Sequence, residues 1–216
     1  MKEVGDGVFQ LACTRPQVNC FLVQAEVPVL VDAGTKVQGR AIVEELHAAG
    51  VTPAFVLLTH ADFDHSGGAA AVREATAAPV VAPSAERPLL TGETRRRLLV
   101  RLMIRSVNRG RSPRMPTVDR WIGDGEVVAG LEAIATPGHT PGHTAYRFGT
   151  SLIAGDAVIT GETFREPVAM FNIDGEEARR SIERLSALDL DLAVSGHGRP
   201  SRNAREKLAA LVATWA

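Results

Sequence analysis

The sequence predicts an α+β fold in which two sheets pack face to face beneath outer layers of helix. Three observations predict it. Short apolar runs bounded by turn residues open the chain and resume at Val118. Segments with helical spacing follow each group of strands, so strands-then-helices occurs twice. Several of the apolar runs end in a glycine-flanked histidine or aspartate. With 216 residues the chain is long enough for one substantial core, and a single domain over residues 1–216 is expected.

In order, Val8–Leu11, Val18–Gln24 and Val29–Val31 read as an antiparallel meander, broken at Pro16-Gln17 and Glu26-Val27-Pro28. Asp32-Ala33-Gly34 ends it; the carboxylate either orients an active-site group or shapes a turn before glycine. Val37–Ala49 has helical spacing and stops at Gly50. Ala54–Leu58 is a buried strand, Ala69–Ala77 a helix and Pro79–Ala82 a strand. After Val118–Ile122, Glu126–Val128 and Leu131–Ala135, a hairpin is expected from Thr144–Phe148 and Ser151–Ala154 around Gly149. Asp174 is an N-cap for a helix to Leu188. Leu192–Val194 is the last strand, and Asn203–Thr214 a closing helix.

The stretch about 84–117 differs in composition. Ten of the chain's 24 basic residues lie between Arg87 and Arg120, against Glu93 and Asp119 alone. Flanking prolines set the stretch off as an insertion. Thr94–Asn108 reads as a helix with Arg97, Arg101, Arg105 and Arg109 stacked at four-residue intervals. It serves as a solvated face, as a lid attracting anionic substrates, or as a face for a second copy of the chain (a homodimer) or a membrane surface.

Composition excludes several classes. Net charge is -1, and Phe and Tyr are few, so no nucleic-acid partner is expected. No apolar run approaches the ~18 residues that span a bilayer, and Lys2 and Glu3 are not followed by an apolar signal segment; no membrane partner and a cytoplasmic location are expected. Cys13 and Cys20 are too few for a disulfide scaffold and lack CxxC spacing.

The chemistry concentrates in Thr59-His60-Ala61-Asp62-Phe63-Asp64-His65-Ser66-Gly67-Gly68. Two imidazoles and two carboxylates so close together would repel and lose solvation unless a cation joined them. A solvated loop capped by Asp64 or Ser66 is the plainer reading, but a cap needs one polar side chain, not four. His139, Asp156 and His197 also follow apolar strands beside glycine, and loops at one end of a sheet assembly converge. Five of the six histidines lie in such loops; His47 reads as a surface residue on a helix.

These motifs resemble those of the metallo-β-lactamase superfamily, glyoxalase II-like and lactonase-like members included, whose fold is a four-layer αββα sandwich. The similarity runs from the N-terminal meander to Ser195-Gly196-His197. Its HxHxDH motif is matched by His60, Asp64 and His65, with Asp62 where a second histidine is usual. The resemblance implies that His60, Asp62 and His139 hold one divalent metal and Asp64, His65 and His197 another, with Asp156 bridging. Zinc is the first expectation; manganese and iron also fit. It places His143 beside these ligands, hydrogen-bonding and stiffening the loop, and lets Asp64 orient the nucleophile or accept its proton. The implied reaction is attack of a metal-activated water on a small ester, thioester or lactone; no GxSxG elbow offers a serine nucleophile.

Asp62 lowers the charge of a two-metal site by one unit relative to histidine and favours harder ions. It also resembles the HxExDH pattern of flavodiiron proteins, so an iron-dependent oxidoreductase of the same fold is the alternative. A phosphodiesterase is another, since Arg97, Arg101 and Arg105 would favour anionic substrates.

Overall fold

The computed structural model describes residues 1–16, 18–96, 102 and 115–215. The expected Thr94–Asn108 helix, with Arg97, Arg101 and Arg105, lies almost wholly outside them, as does Gln17.

The first sheet has seven strands in sequence order. β1 (Lys2–Gly5), β2 (Val8–Gln10), β3 (Phe21–Gln24) and β4 (Pro28–Val31) form the antiparallel meander. Helix α1 (Gly39–Ala48) carries the chain to β5 (Phe55–Leu57), parallel to β4. The short α2 (Phe63–Ser66) and α3 (Ala69–Thr76) lead to β6 (Val80–Pro83), again parallel. A 3₁₀ turn and α4 (Arg87–Leu90) then open the basic stretch, which is the crossover to the parallel edge strand β7 (Arg120–Ile122).

β8 (Val127–Val128), β9 (Leu131–Ala135), β10 (Thr144–Phe148), β11 (Ser151–Ile153) and β12 (Leu192–Val194) form the second sheet, ordered β12-β11-β10-β9-β8. Only β11 and β12 run parallel, joined through α5 (Gly175–Ser186); α6 (Ala204–Ala213) closes the chain against α5.

Side-chain alternation along the strands builds three apolar layers. Leu30, Val56 and Val80 point to α1 and α3, among Ile42, Leu46 and Val72. Their neighbours Val31, Leu57 and Val81 point inward, onto Leu131, Tyr146, Ile153 and Val194 of the second sheet. Leu152 and Ala193 face outward onto Ile182, Leu185 and Leu208 of α5 and α6. The result is the αββα sandwich.

Several boundaries differ from the sequence reading. β1 was not anticipated, because its Lys2-Glu3 start is exposed and carries no apolar run. The Val18–Gln24 segment is strand only from Phe21. Before it the buried Asn19 side-chain amide donates to the Ser195 and Gly198 carbonyls, 2.8 Å each, so the chain is bound to the loop after β12 instead of to a strand. The two sheets are also unequal, seven strands against five, since β7 joins the first sheet. Asp174 caps α5 as expected, accepting the Glu177 N–H at 3.0 Å.

On α1, Glu45 accepts the Ala12 and Cys13 N–H groups at 2.9 and 2.8 Å. Burial pushes its carboxyl up, but these donors prevail and hold it at about 2, against an ordinary 4.5. Its contribution is therefore present above about pH 4.5 and is lost as pH falls toward 2. Glu45→Gln is expected to cost on the order of 1 kcal/mol at neutral pH, and urea unfolding at successive pH values should show that difference fading below pH 4.5. Burial and the neighbouring Glu45 push the Cys13 thiol up to about 12, which leaves it a poor nucleophile.

Candidate metal centre

The strand-exit loops bring all seven candidate ligands together at one end of the sandwich. His60, Asp62 and His139 place one ligand atom each within 4.8 Å of one another; so do His60, His65 and Asp156, and so do Asp64, His65 and His197. The triads overlap at His60 and His65, whose ring centroids lie 4.1 Å apart. Asp156 sits centrally, its oxygens 3.4 Å from His65 Nε2, 3.7 Å from His139 Nε2 and 3.4 Å from His197 Nε2. His47 lies apart, exposed on α1.

The surrounding hydrogen bonds fix which nitrogen of each imidazole faces the cluster. His65 Nδ1 donates to Asp32 at 2.7 Å. The Thr59 hydroxyl donates to Asp32 at 2.8 Å, so the His60 Nδ1–H, 2.9 Å from that hydroxyl, donates to it. His139 Nδ1 donates to Asn172 Oδ1 at 3.2 Å. In each ring Nε2 is thereby turned toward the cluster, where His139 Nε2 lies 3.2 Å from Asp62 Oδ2, the arrangement usual for ligating histidines. His60 Nε2, His65 Nε2 and Asp156 Oδ1 are buried and have no hydrogen-bond partner among the described residues. Orphaned buried polar atoms are costly; here they converge on shared points, so the donor set fits divalent cations.

His143 differs because both its nitrogens are engaged. Nδ1 donates to Thr136 Oγ1 at 2.7 Å, and Nε2 accepts the Asp156 N–H at 2.9 Å. Burial, with His60 and His139 nearby, holds it well below the usual histidine range. A neutral imidazole thus braces Asp156. Asp32 adopts φ 59°, a left-handed backbone that aspartate tolerates, and it orients Thr59 and His65 instead of merely shaping a turn. Neither Asp64 nor Ser66 caps a helix: Asp62 holds the N-cap position of α2 without a side-chain cap bond, and the Ser66 hydroxyl donates to Ala61 O at 3.1 Å.

Electrostatics mark the cluster as short of positive charge. Burial opposes ionisation of Asp156, yet His65, His197 and His139 hold it well below the usual carboxylate range. Burial likewise opposes a charge on His65, yet Asp156 and Asp32 draw a proton to it and raise it well above the usual range. Positive charge is favoured where the Nε2 atoms meet, and a proton or a metal ion supplies it. Close packing is needed there: a Cβ on Gly196 would lie 2.4 Å from Asp156 Oδ1 and 2.5 Å from His65 Cε1.

Two buried charges escaped the sequence reading. Glu86, fully buried, accepts the Ala61 and Gly142 N–H groups at 2.7 Å each and so clamps the His60 and His139 loops together. Arg96 donates to Asp62 Oδ2 at 3.0 Å and to the His139 and Phe171 carbonyls at 2.7 Å each. It sets a unit of positive charge against the Asp62 carboxylate. Both lie in the stretch about 84–117, which the sequence leaves open as a solvated face, a lid or an interface, and no local pattern singles them out.

Fold and site together define a metallohydrolase of αββα architecture, and comparison with known proteins agrees. The family model for the metallo-beta-lactamase superfamily matches residues 13–197. The probable metallo-hydrolase YflN of Bacillus subtilis (strain 168) is 31% identical, over 85% of this chain and 80% of its own length. An N-acyl homoserine lactonase of a Bacillus species is 29% identical, over 78% of this chain and 74% of its own. Among solved structures, TTHA1623 in a di-iron-bound form superposes with a TM-score of 0.75 at 28% identity, covering 92% of this chain and 96% of its own. The chain belongs to the metallo-β-lactamase superfamily, in the class of metal-dependent hydrolases. Among the described residues no helix is long and apolar enough to cross a membrane.

Proposed function

We propose that this protein is a binuclear hydrolase of small esters, thioesters or lactones. The observation that carries the reading is the convergence of the unpartnered Nε2 atoms of His60 and His65 with Asp156 Oδ1 inside three overlapping triads. His60, Asp62 and His139 would hold one cation, Asp64, His65 and His197 the other, and Asp156 would touch both. When bound there, two divalent cations would supply an activated water and electrostatic stabilisation of developing negative charge. The chain's own residues set orientation and proton traffic. Asp32, Thr59 and Asn172 hold three imidazoles with Nε2 inward. Burial opposes ionisation of Asp64, but His197 at 3.3 Å keeps it below its ordinary range, so it is a carboxylate able to accept a proton from the nucleophile.

The lactonase relatives support a lactone or ester. A panel of thioester, lactone, aryl ester and phosphodiester substrates, assayed with chelator and after reconstitution with single metals, tests the class. Hydrolysis lost on chelation and restored by one ion is expected; chelator-resistant hydrolysis would contradict the reading. An iron-dependent oxidoreductase is the second reading, favoured by the oxygen ligand at Asp62 and by the di-iron-bound structural neighbour. Iron with an optical spectrum and no hydrolysis would select it.

A further inference from the structure

Beside His197 lies a cleft of about 540 Å³, within the ~300–1,000 Å³ typical of small-molecule sites. Three separate loops each contribute one arginine to it: Arg15 between β2 and β3, Arg165 between β11 and α5, and Arg199 between β12 and α6. We propose that this cleft is an anion subsite, which seats a carboxylate or phosphate carried by the substrate while the scissile bond lies at the metal cluster. The inference rests on the hydrolase reading and narrows its substrates to small anionic esters or thioesters.

The charges around the cleft are uncommitted. Many of the chain's other arginines are spent on partners, among them Arg73 on Asp119, Arg147 on Glu132 and Arg184 on Asp124. Among the described residues Arg15, Arg165 and Arg199 form no ion pair, and neither does Glu162, the one acid in the lining. Three guanidinium groups against one carboxylate leave the cleft positive. Guanidinium forks match the oxygens of carboxylate and phosphate, and charge-assisted bonds of this kind are the stronger ones.

The floor is satisfied by its own bonds. The Asn19 side-chain amide bonds the Ser195 and Gly198 carbonyls, the Arg199 N–H bonds Thr160 O at 3.0 Å, and the Thr160 and Ser195 hydroxyls lie 2.9 Å apart. The side chains of Arg15, Arg165 and Arg199, with those of Glu162 and Thr163, remain to meet a ligand. His197 both lines the cleft and reaches Asp64 and Asp156 in the cluster, so one small molecule can span the two.

The test compares mono-4-nitrophenyl succinate, its phosphate-ended counterpart and neutral 4-nitrophenyl butyrate on wild-type protein, Arg165→Gln, Arg199→Gln and the double variant. The preference for an anionic over the neutral ester, as a ratio of kcat/KM values, should fall about tenfold in each single variant and about a hundredfold in the double. The two anionic esters show whether carboxylate or phosphate is preferred. A ratio that stays put, or equal losses on charged and neutral esters, would overturn the subsite. Calorimetric titration of succinate and of inorganic phosphate into wild-type and double-variant protein reads the site without turnover. Binding that weakens in the variant while no ester is hydrolysed would keep the subsite and sink the hydrolase reading; hydrolysis with neither selectivity nor variant-sensitive binding would do the reverse.

Discussion

Asp156→Asn should strip the protein of most of its metal and slow hydrolysis about 10³-fold or more, since losing a shared charge forfeits several kcal/mol of stabilisation. Asp156 stands within 3.7 Å of three histidine Nε2 atoms. The amide keeps the shape that Gly196 packs against, so far-UV circular dichroism should be unchanged. Metal analysis and initial rates on one preparation check both effects. Metal and rate within twofold of wild type would remove Asp156 from the site.

The second large effect concerns Asp62 and Arg96 as a pair. Asp62→His writes the superfamily's usual histidine into the motif, yet it should lower both metal content and stability in this chain. It leaves the Arg96 guanidinium, now buried against Asp62 at 3.0 Å, without its carboxylate and facing a more positive centre. Removing one partner of a buried ion pair costs about 3–5 kcal/mol. Adding Arg96→Met to Asp62→His should restore much of the loss, and Arg96→Met alone should destabilise chelated protein more than metal-loaded protein. Unfolding free energies for the four proteins, with and without metal, form a double-mutant cycle. Strictly additive effects would show that Arg96 does not compensate Asp62.

These two residues also show where the sequence stops being readable. Strands such as Val29–Val31 and Leu192–Val194 are legible because they are buried on both faces and bounded by turn residues. The histidines and aspartates are legible because loops at one sheet end must converge, and because glycine stands beside His139, Asp156 and His197. Arg96 and Glu86 are not, since their partners lie 34 and 25 residues away at Asp62 and Ala61 and no local period records such a distance. β1 is hidden for a related reason: it is an edge strand whose pairing with β2, not its own apolar content, makes it a strand. The arginines spaced four apart in the basic stretch, Arg97, Arg101 and Arg105, lie outside the described residues. Their periodicity draws attention to Arg97, while the neighbour that reaches into the cluster is Arg96, out of phase with that stripe.

Metal content after anaerobic purification without chelator or added metal tests the binuclear site most directly. Inductively coupled plasma mass spectrometry should find about two divalent ions per chain, both removed by chelator in parallel with hydrolysis. One tightly held zinc and nothing else, or folded active protein with no metal, would contradict it.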